Sequence, residues 1–128
     1  VRRVLIIVNP AAGRVRARRR HLDRVVAELR GRGCAVVVRD AGLGPGAAER
    51  LAGTAEPEFD VIVAAGGDGT IAAVVNGVAS SPRPVAVLPL GTANVLAAEL
   101  GMPRGAAACA EVIAAGPARP MWPGRVGS

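Results

Sequence analysis

Eighteen residues, Asp60 to Gly77 (DVIVAAGGDGTIAAVVNG), constrain the fold more than any other stretch of this chain. Val61 to Ala65 is a continuous apolar run without polar alternation, the pattern of a parallel strand buried on both faces. After Gly66-Gly67-Asp68-Gly69-Thr70, the residues Ile71, Val74, Val75 and Val78 recur at i, i+3, i+4 and i+7, one apolar face of a helix. The glycines therefore occupy a tight strand-to-helix turn. Lacking Cβ, they let a ligand press against the main chain, and the first amides of a helix suit a phosphate. Asp68 does not belong in a pure phosphate cradle, because its carboxylate repels anions unless it faces a metal ion or an acceptor hydroxyl. The plainer alternative is that Asp68 only caps the helix.

The same alternation runs through the rest of the chain. Val4 to Val8 is a second buried-strand run, followed by Asn9-Pro10-Ala11-Ala12-Gly13, a turn without the GxGxxG of a dinucleotide fold. Arg14 to Arg32 reads as a helix with Leu22, Val25, Val26 and Leu29 on one face, ended by Gly31-Arg32-Gly33. Cys34 to Arg39 is a strand, Ala47 to Ala55 a short helix and Val85 to Leu88 a fourth strand. Pro89 to Asn94 (PLGTAN) makes another glycine-bearing turn, with Thr92 as N-cap of a helix carrying Val95, Leu96 and Leu100, then Gly101 and Pro103. Ala106 to Ala115 is an alanine-rich helix, and a short strand around Arg119 to Trp122 would follow within an irregular 116–128.

Alternating β and α elements predict an α/β fold: a three-layer Rossmann-like domain with a mostly parallel sheet and helices on both faces. Strand-to-helix turns then share the carboxyl edge of the sheet, where ligands bind. Three candidate phosphate loops meet on that rim: Asn9–Gly13, Gly66–Thr70 and Gly91–Asn94.

Composition removes several chemistries. All sixteen basic residues are arginine, so the lysine of a Walker A loop, of a protein kinase or of a Schiff base is missing from this sequence. A single histidine, His21, in an arginine-rich helix and expected to be solvent-exposed, speaks against a Ser-His-Asp triad. Phe59 and Trp122 are the only aromatic residues, too few for stacking platforms, so no nucleic-acid partner is expected. The net charge of +6 instead fits phosphate ligands or an anionic membrane surface. Arg14, Arg16, Arg18, Arg19 and Arg20 crowd the start of the first helix against its dipole; they are either a solvated face or lie near phosphates or lipid headgroups. Cys34 and Cys109, far apart in apolar stretches, read as buried reduced thiols of a cytoplasmic protein, and no apolar run is long enough to span a bilayer.

Three blocks, VNPAAG at Val8–Gly13, GGDGTIAAVVNG at Gly66–Gly77 and LPLGTANVLA at Leu88–Ala97, resemble the diacylglycerol kinase catalytic domain family, which includes bacterial lipid kinases, sphingosine kinases and ceramide kinases. GGDGT is shared with NAD kinases and phosphofructokinases; the PLGTAN block resembles the lipid-kinase pattern Pro-x-Gly-Thr-x-Asn. The resemblance implies transfer of phosphate from ATP, with Mg²⁺, to a hydroxyl of diacylglycerol or a related lipid at the membrane surface. It places Asp68 as the catalytic residue and Asn9, Gly13, Gly66, Gly67, Gly69, Thr70, Gly91, Thr92 and Asn94 at the nucleotide, with metal ligands unassigned. Alternatives are an NAD-kinase-like or other small-molecule kinase domain, or a nucleotide-binding module without activity. The chain departs from the family at Ala72 and Ala73, where Asn-Glu is frequent, at Ala12 for serine, and near Gly42 and Ala47, where a threonine and an acid are common. Residues 1–128 are expected to form the N-terminal nucleotide domain, with 116–128 leading toward a β-rich second domain that this sequence does not contain. The chain alone would then be an incomplete kinase, cytoplasmic and peripheral to the membrane.

Overall fold

A computed structural model describes residues 2–9, 16–41, 46–80, 83–90 and 105–115. Four strands, β1 (Arg3–Val8), β2 (Ala35–Asp40), β3 (Val61–Gly66) and β4 (Val85–Pro89), form one sheet in the order β2-β1-β3-β4. Every pairing is parallel, with Val8 level with both Asp40 and Ala65. β1 and β3 are the interior strands, and all six residues of β3 are buried, as their unbroken apolar run requires.

The helices α1 (Arg16–Gly31), α2 (Ala47–Gly53), α3 (Asp68–Gly77) and α4 (Ala106–Ala115) cover both faces. The strand period of two divides the core. Val4, Ile6, Val8, Val63 and Ala65 pack with Leu22, Val25 and Leu29 of α1 and Cys109, Ala110 and Ile113 of α4. Leu5, Ile7, Ile62 and Ala64 meet Ala47 and Ala52 of α2, Ile71 and Val74 of α3, and Phe59. This is the three-layer α/β arrangement that the alternating pattern predicts. Because α1 crosses from β1 to β2 while α2 carries the chain back past β1 to β3, the order in which strands are added reverses between β1 and β3. A crevice opens at such a reversal, at the carboxyl ends of the strands.

Element ends depart from the sequence reading by one or two residues, each for a local reason. Gly33, at φ +88°, closes α1: its amide bonds to Arg30 O at 3.0 Å and the Cys34 amide to Leu29 O at 3.0 Å, a Schellman closure. Cys34 is thereby held by the helix, and β2 starts at Ala35 and runs on to Asp40. α2 stops at Gly53 instead of Ala55, where the Thr54 hydroxyl donates to Arg50 O at 2.7 Å. The loop that follows is clamped by Arg83, whose guanidinium donates to the carbonyls of Glu56, Phe59 and Ala55 at 2.8, 3.3 and 3.1 Å. Arg39 lies 5.5 Å from the Phe59 ring centroid and bonds both Glu56 oxygens, at 3.0 and 3.2 Å, which holds that carboxyl below the usual carboxylate range.

Cys34 and Cys109 are buried thiols, as expected, and burial pushes the Cys109 thiol up. His21 is half-buried, not exposed: it stands four residues before Val25, at the margin of the buried stripe. The helix expected after Thr92 and the strand expected near Arg119 to Trp122 lie outside the described residues. Among the described residues no helix is long and apolar enough to cross a membrane.

α2 and α3 cross with almost no side chain between them. A Cβ at Gly77 would run into the Glu49 carbonyl and stand 2.7 Å from the Ala52 Cβ, and one at Gly53 would lie 3.1 Å from Gly77 O. Backbone cannot yield as a side chain can. Gly77→Ala should therefore lower stability by up to about 2 kcal/mol, an overpacking cost of about 1–3 kcal/mol less the roughly 1 kcal/mol gained in helix propensity. Urea unfolding of the variant beside its parent measures the difference; an unchanged midpoint would show that the helices can slide apart freely.

Candidate functional site

Each turn on the carboxyl rim is stapled to its neighbour by a backbone bond. Ala41 N donates to Val8 O at 2.9 Å, Asn9 N to Ala65 O at 3.0 Å and Leu90 N to Gly66 O at 3.1 Å. The ends of β2, β1, β3 and β4 are thus fixed side by side. Across the crevice the Asn9 side-chain amide donates to the Thr70 hydroxyl at 3.1 Å, joining the end of β1 to the first turn of α3. Thr70 is the buried polar residue among the described residues, 7% exposed, so its hydroxyl is spent inside the protein.

The glycines of the turn divide by what surrounds them. A Cβ at Gly66 would stand 2.9 Å from the Thr70 hydroxyl and 3.1 Å from the Asn9 Cβ, so the Asn9–Thr70 bridge requires glycine there. At Gly67 and Gly69 a Cβ would meet nothing within 4 Å. Gly67 has φ −93° and ψ −173°, extended backbone that any residue adopts. Gly69 is exposed within a helix, where glycine costs about 1 kcal/mol relative to alanine. Neither packing nor backbone conformation accounts for these two glycines. Their effect is to leave the start of α3 bare.

Asp68 is not the cap. Gly67 is the N-cap residue and has no side chain to cap with, and Asp68 occupies the first helical position, half-exposed. The first intrahelical bond runs from Ile71 N to Gly67 O at 3.1 Å, so the amides of Gly69 and Thr70 face the helix end at its positive pole. The arrangement offers oriented donors for an anion and a carboxylate beside them, with open space at the Cβ positions of Gly67 and Gly69. Among the described residues no group of three or more His, Cys, Asp or Glu is placed to hold a metal ion.

Of the residues that the sequence singles out, the structure brings together Asn9, Gly66, Gly67, Asp68, Gly69 and Thr70. Gly13, Gly91, Thr92 and Asn94 lie outside the described residues. Sequence reasoning did not separate the supporting pair, Asn9 and Thr70, from the open glycines, and it passed over Gly77. The spacing of Asn9 and Thr70, 61 positions apart, carries no local signal. α1 begins on the same rim, with Arg16, Arg19 and Arg20 exposed and Arg18 half-buried above Leu22. No acidic residue lies in its first turn, and Arg19 is paired with Asp23 at 3.5 Å.

The sequence model of the diacylglycerol kinase catalytic domain matches residues 3–126. The chain is 38% identical to a diacylglycerol kinase of Bacillus subtilis strain 168, over 98% of this chain and 42% of that protein. It is 33% identical to a diacylglycerol kinase of Staphylococcus saprophyticus, over 90% of this chain and 38% of that one. A crystal structure of a diacylglycerol kinase from Bacillus anthracis strain Sterne superposes with a TM-score of 0.69 at 29% identity, covering 88% of this chain and 41% of that one. The chain spans about two fifths of the length of these relatives. With its three sequence blocks, parallel sheet and glycine turn matched from Arg3 onward, this chain belongs to the diacylglycerol kinase catalytic domain family.

Proposed function

We propose that this chain is the nucleotide-binding part of a lipid kinase that moves the γ-phosphate of ATP to a hydroxyl of diacylglycerol or a closely related lipid. The observation that carries the reading is the bare start of α3, where two glycines with open space at their Cβ positions flank Asp68 at the sheet's reversal. Family membership supplies the reaction class. The Gly69 and Thr70 amides take phosphate oxygens, Gly66 lets the turn close, and the Asn9–Thr70 bond fixes the turn against β1. In the transfer, the lipid hydroxyl oxygen bonds to the γ-phosphorus as the bond to the β-γ bridging oxygen breaks, releasing ADP. Asp68 receives the hydroxyl proton. Mg²⁺ bound with the nucleotide would neutralise charge at the phosphates, and Asp68 would be its ligand from this turn where it does not take the proton. Gly13, Gly91, Thr92 and Asn94 complete the nucleotide contacts in this reading. The protein works in the cytoplasm at the membrane surface where its acceptor lies.

The two open glycines and Asp68 separate binding from chemistry. Gly67→Val fits the local backbone but fills the approach, so ATP binding in calorimetry should weaken at least tenfold with the fold kept. Gly69→Ala should gain up to about 1 kcal/mol of stability and lose nucleotide affinity, the trade expected of a residue retained for function. Unchanged ATP affinity in both variants would remove this turn from the site. Asp68→Asn, made in the full-length protein, should keep nucleotide affinity within a few-fold while turnover falls by about 10²–10⁴. Near-parental turnover would mean that Asp68 neither takes the proton nor holds the metal.

The arginines at the start of α1 give a separate expectation. Replacing Arg16, Arg18, Arg19 and Arg20 by Gln should weaken binding to phosphatidylglycerol vesicles at low salt, by up to about 1 kcal/mol per arginine. Activity on a short-chain soluble acceptor should be spared. Equal vesicle binding by variant and parent would make the cluster a solvated face only.

A further inference from the structure

A second carboxylate on the rim has no duty in the fold. Asp40 ends β2, exposed, level with Val8, which is in turn level with Ala65 of β3. Among the described residues it makes no ion pair and no side-chain hydrogen bond; the next amide, Ala41 N, goes to Val8 O, so Asp40 does not close a turn on its own side chain. Aspartate is among the residues least suited to a strand. Nor does it sit at the start of a helix, where a dipole would favour it. Asp40 stands two interstrand spacings from β3, about 10 Å from the turn that takes the phosphates. At that distance it neither repels the phosphates at close range nor reaches a metal ion held between them.

An acceptor-only group in that place suits a ligand donor, and a nucleotide has one pair of neutral donors near its phosphates, the ribose hydroxyls. Asp40 and the phosphate turn flank the end of β1, so a nucleotide with its phosphates on α3 and its sugar over β1 brings the ribose to β2. Dinucleotide folds put an acidic residue at the end of the corresponding strand for the same chemical reason, although this chain lacks their glycine fingerprint. We propose that Asp40 accepts a hydrogen bond from a ribose hydroxyl and makes the site selective for ribonucleotides. The proposal rests on the nucleotide reading of the α3 turn and adds to it a residue on a different strand.

The test is calorimetric binding of ATP, 2′-deoxy-ATP and 3′-deoxy-ATP, with Mg²⁺, to the full chain and to Asp40→Ala and Asp40→Asn. The parent should bind ATP at least about tenfold more tightly than the analogue lacking the engaged hydroxyl, the worth of a hydrogen bond to a charged group. Asp40→Ala should bind ATP and that analogue alike, and Asp40→Asn, which keeps an acceptor oxygen, should fall between. If the parent binds all three nucleotides equally, or if Asp40→Ala retains the parental preference, the proposal is overturned while the phosphate site stands. If the parent binds none of them, the nucleotide reading of the α3 turn fails and takes this inference with it. The comparison of analogues on the parent needs no substitution, so a variant that failed to fold would not obscure the result.

Discussion

Everything on the carboxyl rim depends on β3 being dry. A strand with six buried residues has no solvent to satisfy its backbone, so β1 and β4 must supply a ladder on both edges and helices must cover both faces. That requirement places α1 and α4 on one side and α2 and α3 on the other, and it leaves the chain one way out of the sheet, through Gly66. The turn is tight because Leu90 and Asn9 bind the carbonyls on either side of the exit. A site built on such a turn inherits the rigidity of the sheet, which is what phosphoryl transfer asks of a protein: position before chemistry.

Three glycines in five residues look alike in the sequence and do different work in the structure. Gly66 gives room to Asn9 and Thr70, whereas Gly67 and Gly69 give room to nothing among the described residues. A helix start without a side-chain cap, carrying a glycine at its second position, is less stable than it could be. The family resemblance and the geometry converge at that point, since the unfilled space is where a phosphate would lie. Asp68 does not hold the capping position, which belongs to Gly67.

Much of this was legible beforehand for a physical reason. Strands buried on both faces write themselves as apolar runs, and VLIIV, VIVAA and VAVL fell within or a residue short of the observed strands. Ala106 to Ala115 was read to the residue. What the pattern could not carry was contact between distant positions. β2 begins one residue late because Cys34 still serves α1, and α2 ends early on Gly53, at its crossing with α3. His21 looked exposed because its company is arginine, yet the helical period sets it beside Val25. The Asn9–Thr70 bond and the Gly77 crossing each join residues whose meeting only the completed sheet determines. Gly13, Gly91, Thr92 and Asn94 rest on the loop pattern of the sequence and the family resemblance, since they lie outside the described residues.

The strand order also bears on how this chain reaches its fold. β1 is central, but its second neighbour is far off along the chain: Arg3 and Asp60, whose backbone and carboxylate bond across the start of β1 and β3, stand 57 positions apart. A chain emerging from its N-terminus forms β1, α1 and β2 first and holds an open strand edge until β3 arrives. Loop closure over that separation is paid before the ladder rewards it, so folding should be limited by the docking of β3 and not by helix formation. During that interval the apolar residues Val4 to Val8 have one edge and one face uncovered, which makes an interior strand of the finished sheet its most vulnerable segment while folding.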